Sequence, residues 1–163
     1  MIEYIPQRAS NLIIFLSYLL VFGACNASTS DHLKSYKTQT FKLSSGEEFS
    51  VYIAETYEQQ KRGLSGIKPE DFPLNKGMLF PETEMRVRQF WMPETHFDLD
   101  LFFMSANYYI LDIHRGLKHY PKKGDRSEVP LSKEVFSQHV LELKANSPLA
   151  KKLKHGMLLK LKK

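Results

Sequence analysis

Apolar residues fall into three patterns along the chain, and each predicts a different kind of segment. The first is the run Leu12-Ile-Ile-Phe-Leu-Ser-Tyr-Leu-Leu-Val-Phe22, preceded by Arg8 and followed by Gly23 and Ala24. Its 11 residues are too few to cross a hydrocarbon core, which takes about 20; they match the apolar centre of an export signal. The second pattern, from Thr38 onward, is short alternation of apolar and polar positions, the period of half-buried strands. Thr40-Phe-Lys-Leu43 and Phe49-Ser-Val-Tyr-Ile-Ala54 flank Ser44-Ser-Gly-Glu-Glu48 and predict a hairpin, with Phe49, Val51 and Ile53 on one face. The third is a pair of short helical stretches marked by their caps. Thr56 with Gln59 forms a capping box and Gly63 a stop; Ser147 is an N-cap, Pro148 a first helical residue and Gly156 a stop. Leu149 and Leu153 would dock the second helix.

Further strands are predicted at Gly77–Phe80, Met85–Trp91, Leu99–Phe103, Tyr108–His114, His139–Leu143 and Met157–Leu161. Residues 64–76 read as a loop crossing the domain and 115–137 as a long basic loop. The tight connections Pro93-Glu94-Thr95 and Ser105-Ala-Asn107 predict antiparallel neighbours. Together these elements predict a mainly β domain, an antiparallel β-sandwich or partly open barrel of about seven or eight short strands with two short helices. A chain of 163 residues suits one such domain plus a targeting segment.

The single cysteine sharpens the targeting reading. Phe22-Gly-Ala-Cys25 resembles the bacterial lipobox, in which small residues let a peptidase cut before a lipid-modified cysteine. The resemblance implies that residues 1–24 are a lipoprotein signal peptide and that Cys25 carries lipid. Simple cleavage leaving a thiol, or retention as an uncleaved anchor, are the alternatives. The polar stretch behind Cys25 has tether composition, giving the organisation 1–24 signal, 25–37 lipidated flexible tether and 38–163 β domain. Asn26 is not the Asp that resembles an inner-membrane retention signal. The expectation is therefore an exported protein held to the envelope through its N-terminal lipid, at the outer membrane if the cell has one. No cysteine remains for a disulfide.

With 23 Lys and Arg against 18 Asp and Glu, the net charge is +5, and the signal removes one residue of each sign. Basic surfaces attract nucleic acid, anionic lipid and acidic polymers alike. Export excludes nucleic acid as a partner and leaves lipid head groups and anionic glycans; no protein partner can be read.

Several segments resemble, in order, the DUF192 family, whose biochemical role has not been established. They are Ala54-Glu-Thr56 with Gln60 and Arg62-Gly-Leu-Ser-Gly66, then Gly77-Met-Leu-Phe80, Phe90-Trp-Met92 with Thr95, Leu99-Asp-Leu-Phe-Phe103, and Val140-Leu-Glu-Leu143. The resemblance covers roughly residues 48–162. Departures are Pro93-Glu94 where the family usually has Lys-Asn, Asp98 where it has Pro, and Ala145-Asn146 where it has a small residue and Gly.

Asp100 and Glu142 lie in these motifs among Leu and Phe, where a carboxylate needs a partner or a shifted pKa. Two such acids suit a general acid/base pair. The alternative for each is a backbone hydrogen bond or an ion pair with Arg62, Arg86 or Arg88. Ser65 reads as a turn residue, and His114 and His119 lack metal-ligand spacing, so neither metal nor cofactor is expected. Most of Phe80, Phe90, Trp91, Phe97, Phe102 and Phe103 are expected in the core, with Trp91 and Phe97 as the surface exceptions. Arg115, Lys118, Lys122, Lys123 and Arg126 cluster beside a lone Asp125 as candidate anion ligands, or as a solvated connector. The expected function is a non-enzymatic envelope module that binds an anionic or carbohydrate ligand through residues 114–126 and Trp91. A hydrolase or transferase using Asp100 and Glu142, and a structural accessory subunit of an envelope complex, are the rivals.

Overall fold

A computed structural model describes residues 31–123 and 127–162. The signal, Cys25 and Arg126 lie outside the described residues. Nine strands and two short helices follow one another as β1 (Lys37–Lys42), β2 (Glu48–Ile53), α1 (Tyr57–Arg62), β3 (Lys76–Phe80), β4 (Arg86–Arg88), β5 (Leu99–Met104), β6 (Ile110–Leu117), β7 (Val135–Ser137), β8 (His139–Lys144), α2 (Pro148–Lys152) and β9 (Lys160–Leu161). Seven strands form one curled, half-barrel sheet in the order β6-β5-β8-β3-β2-β1-β9, while β4 and β7 pair separately as a ribbon. The mainly β reading holds.

Every residue of β5 and β8 is buried, so the centre of the sheet is covered on both sides. On one face Met78, Leu101, Phe103 and Val140 pack with Leu64, Ile67, Phe72 and Met92 from the connecting segments. On the other, Leu79, Phe102, Leu141 and Leu143 pack with Phe41, Val51 and the α2 residues Leu149 and Ala150. Gly77 makes that second packing possible: a Cβ there would come 2.7 Å from both the Leu141 and Leu143 side chains.

The caps form as the sequence predicts at the start of each helix. Thr56 accepts from the Gln59 N–H while the Gln59 side chain accepts from the Thr56 N–H; Ser147 accepts from the Ala150 N–H at 3.1 Å. Gly63 closes α1 at φ 50° and ψ −129°, a combination in which a side chain would be strained. α2 ends earlier than Gly156 suggests, at Lys152 with Leu153 as its cap.

Other boundaries differ from the sequence reading for physical reasons. β2 pairs with β3 in parallel, because α1 and the segment up to Lys76 carry the chain back before β3 begins. Of Met85–Trp91 only Arg86–Arg88 forms a ladder, and its partner is β7 rather than β3 or β5. β6 runs on to Leu117 through a bulge opposite β5, which moves Arg115 from the loop to a strand. The segment read as tether is docked from its second half: Leu33 and Tyr36 are buried, and Asp31–Ser35 is a 3-10 turn.

Candidate functional site

Side-chain parity separates the two acids proposed as a pair. In the antiparallel β5–β8 register Leu101 lies opposite Glu142 and Asp100 opposite Leu143, and successive residues of a strand face opposite sides. Asp100 and Glu142 therefore project from opposite faces of the sheet, which lies between them.

Asp100 is a structural anchor. Its Oδ2 receives the Arg115 guanidinium at 2.6 Å and its Oδ1 the Gly116 N–H at 2.8 Å. Arg115 also donates to the carbonyls of Ala150 and Leu153 at the end of α2, at 2.7 and 2.5 Å. The ion pair is with Arg115, rather than with Arg62, Arg86 or Arg88.

Glu142 has the opposite surroundings. Its side chain enters the face lined by Met78 and Leu101, it is 4% exposed, and no described residue hydrogen-bonds or ion-pairs with its carboxyl. Burial pushes its pKa up to about 8, so it is a neutral carboxylic acid at neutral pH. It forms the floor of a narrow cavity of about 30 Å³, room for a water or a methyl-sized group. Arg62-Gly-Leu-Ser65 forms one wall, Trp91-Met-Pro93 with Thr95 another, and Phe80 and Leu99 complete it.

The cavity opens beside a groove of about 670 Å³, within the range of small-molecule sites. Gln60, Lys61, Phe80, Phe90 and Trp91 border both. Tyr57 on α1 and Arg86, Arg88 and Gln89 on and after β4 extend the groove. Trp91 is 42% exposed, as its position beside a turn predicts. Phe97, the other expected exception, is buried and stacked on Phe72 at 5.7 Å. Phe80, Phe102 and Phe103 are core, and Phe90 is half-buried, edge-on to Phe80 at 5.0 Å.

The wall around Ser65 is held by backbone. Ser65 Oγ donates to the Pro93 carbonyl at 2.7 Å and the Gly66 N–H to the Glu94 carbonyl at 2.8 Å. Ser65 is thus a turn residue, and the turn it braces is one side of the cavity. Glu94 is held at φ 51°, a left-handed conformation that costs a residue with a Cβ about 1 kcal/mol.

The basic cluster is largely engaged. Arg115 holds Asp100, Lys118 donates to Asp98 at 2.8 Å, and Lys123 lies 3.9 Å from Glu94. Asp98 also receives the His119 N–H and ring Nδ1 at 2.9 and 2.6 Å. Burial alone would raise the Asp98 pKa, but these donors hold it at about 2. Lys122 is exposed and makes no ion pair among the described residues. Among the described residues no group of three or more His, Cys, Asp or Glu is placed to hold a metal, and no helix is long and apolar enough to cross a membrane.

Sequence reasoning named Trp91 and Glu142 but left them unconnected; it held Gln60 and Thr95 only as motif residues and missed Tyr57, Lys61 and Gln89. The signal was present in the motifs, since the segments around Arg62, Phe80, Trp91, Leu99 and Glu142 meet at this one cavity.

The fold and site define a small curled-sheet domain with a single buried acid beneath an aromatic-edged groove. The chain belongs to the DUF192 family, described as an uncharacterized ACR, whose model matches residues 40–161. A crystal structure of a candidate transcription regulator from Sinorhizobium meliloti 1021 is similar at TM-score 0.60 and 26% identity, covering 78% of this chain and 95% of that one. A protein of unknown function from Novosphingobium aromaticivorans DSM 12444 superposes at TM-score 0.59 and 22% identity, covering 77% and 84%. No curated protein matches.

Proposed function

We propose that this chain is a lipid-anchored binding module of the cell envelope that holds a glycan in the groove beside Trp91. One observation carries the reading: motif segments up to about 80 residues apart converge on a single cavity, beside a groove with a half-exposed Trp91 on its border. A broad apolar ring flanked by amide and charged side chains suits a sugar, which offers an apolar C–H face and a hydroxylated edge. Gln60 and Gln89 supply donors and acceptors, and Lys61, Arg62 and Arg86 accommodate acidic substituents. With its acid pair separated by the sheet, the chain is read as a binder rather than as a hydrolase or transferase.

The test is calorimetry of the mature protein with soluble oligosaccharides from envelope glycans. Trp91→Ala is expected to weaken binding by at least tenfold at an unchanged melting temperature. Lys122→Glu combined with Lys123→Glu is expected to alter affinity less than threefold, since neither residue borders the groove. Undiminished binding by Trp91→Ala would remove the groove from consideration, and a collapse in the lysine variant would move the site to the 114–126 segment.

A further inference from the structure

We propose that the Glu142 cavity is an acyl-group pocket: the ligand is an N-acylated amino sugar whose acyl methyl enters the cavity and whose carbonyl accepts a hydrogen bond from the Glu142 acid. This deepens the glycan reading and rests on it.

Size, walls and floor each contribute. About 30 Å³ admits a methyl or a water but no sugar ring, so whatever reaches Glu142 is a small substituent of something lying outside. Leu64, Phe80, Met92 and Leu99 give the cavity an apolar side against which a methyl packs, while Ser65, Thr95 and Glu142 give it a polar side that pairs with an amide. At the floor stands a side chain more than nine-tenths buried, aimed into the cavity and lacking a hydrogen-bond partner among the described residues. A buried polar group of this kind is costly unless a partner arrives. As a neutral acid it is a donor, and a carbonyl oxygen is the partner it fits.

The remaining half of an amide also finds its complement. Ser65 and Thr95 both line the cavity, and the hydroxyl of each donates to the Pro93 carbonyl, at 2.7 and 3.2 Å. Their hydroxyl hydrogens are therefore committed, and what they turn to a ligand is lone pairs, acceptors for an N–H.

An ammonium group is the competing occupant, and the charges nearby disfavour it. Lys61 and Arg62 border the cavity and both repel a cation. The residues facing Glu142 from β3 and β5 are Met78 and Leu101, neither charged. On β8 itself Lys144 is turned to the Pro69 carbonyl and the Phe97 ring, while His139 faces the other side. In the adjoining groove Glu82 is paired with Arg86 and lies 3.8 Å from Arg88. Lys61 and Arg62 are the only groups of this set that favour ionised Glu142, and burial outweighs them, so an incoming cation would meet an uncharged acid.

The test compares N-acetylglucosamine oligosaccharides with the same oligosaccharides lacking their acetyl groups, by calorimetry of the mature protein from pH 6 to pH 9. The acetylated series is expected to bind, and to weaken about tenfold by pH 9 as Glu142 loses its proton near pH 8. Glu142→Gln, which keeps a neutral donor at that position, is expected to bind within a few-fold of the parent with a flat pH profile. If Glu142→Gln does not fold, the pH profile of the parent alone still decides. Tighter binding of the de-acetylated series would make the cavity an ammonium site, overturning the acyl pocket while leaving the groove a glycan site. Equal, pH-independent binding of both series would also overturn the pocket alone. Binding of neither would overturn the pocket and the glycan reading together.

Discussion

Glu142 and Asp100 are residues of the same chemistry one strand apart, and their surroundings give them opposite tasks. Asp100 meets a guanidinium and a backbone N–H and serves as a tie; Glu142 is buried without an ion-pair or hydrogen-bond partner among the described residues and keeps its proton to about pH 8. That difference is measurable as stability. An unfolded glutamate releases its proton near pH 4.5, so between pH 4.5 and 8 the folded state binds a proton that the unfolded state does not. Stability therefore falls as pH rises across this window, by at most about 1.4 kcal/mol per pH unit. His114 and His139 act in the opposite sense, since burial holds both below the usual histidine value and stability from them grows as pH rises through their range. The comparison that isolates Glu142 is the parent against Glu142→Gln in urea at pH 5 and pH 7.5. The variant is expected to gain stability relative to the parent as pH rises; identical pH slopes would mean that the acid is solvated or paired in the folded state.

Among the elements, the bulge in β6 shows how one buried carboxylate organises its neighbours. Asp100 on β5 gathers the Arg115 side chain and the Gly116 N–H on β6, and Arg115 reaches on to the two carbonyls that close α2. Asp100→Ala removes the first two contacts and leaves the guanidinium with the helix end alone. The expected cost is about 2–3 kcal/mol by denaturant titration, near the lower edge for a broken buried pair because Arg115 keeps other acceptors and partial hydration. A loss below about 0.5 kcal/mol would place this contact with ordinary surface pairs. The same elements mark where the sequence was legible. Caps at Thr56 and Ser147, the β1–β2 hairpin and the faces of Phe49, Val51 and Ile53 all depend on neighbours a few residues away, and each was readable. Pairing over distance was not. Alternation says that Glu142 and Leu141 face opposite ways, but only the register with β5 says that Glu142 lies beside Leu101 rather than beside Asp100. The Met85–Trp91 run likewise alternates well enough for one strand, yet only Arg86–Arg88 forms a ladder with β7, and residues 89–91 pair instead with Leu131 and Ser132, which leaves Trp91 on the border of the groove.

For the molecule as a whole, the geometry of the N-terminal segment joins the groove to the proposed anchor. Leu33 and Tyr36 are buried, and the Tyr36 hydroxyl reaches the Gln59 carbonyl of α1 at 3.5 Å, so the chain enters the domain beside the helix that borders the groove. Between Cys25 and Asp31 lie five residues, which span at most about 20 Å even fully extended. A lipid on Cys25 would therefore keep the proposed glycan groove within reach of the membrane surface. One acyl chain anchors only marginally and two signals suffice for stable attachment, so the three chains typical of such lipoproteins are expected to withstand high-salt extraction. Cys25→Ser is expected to abolish incorporation of labelled fatty acid and to leave the precursor uncleaved, with the fold unchanged because the substitution lies outside the family domain at residues 40–161. Normal processing of Cys25→Ser without label would show ordinary secretion, and a labelled variant would place the lipid elsewhere. Either result would detach the groove from the membrane while leaving its ligand chemistry as argued.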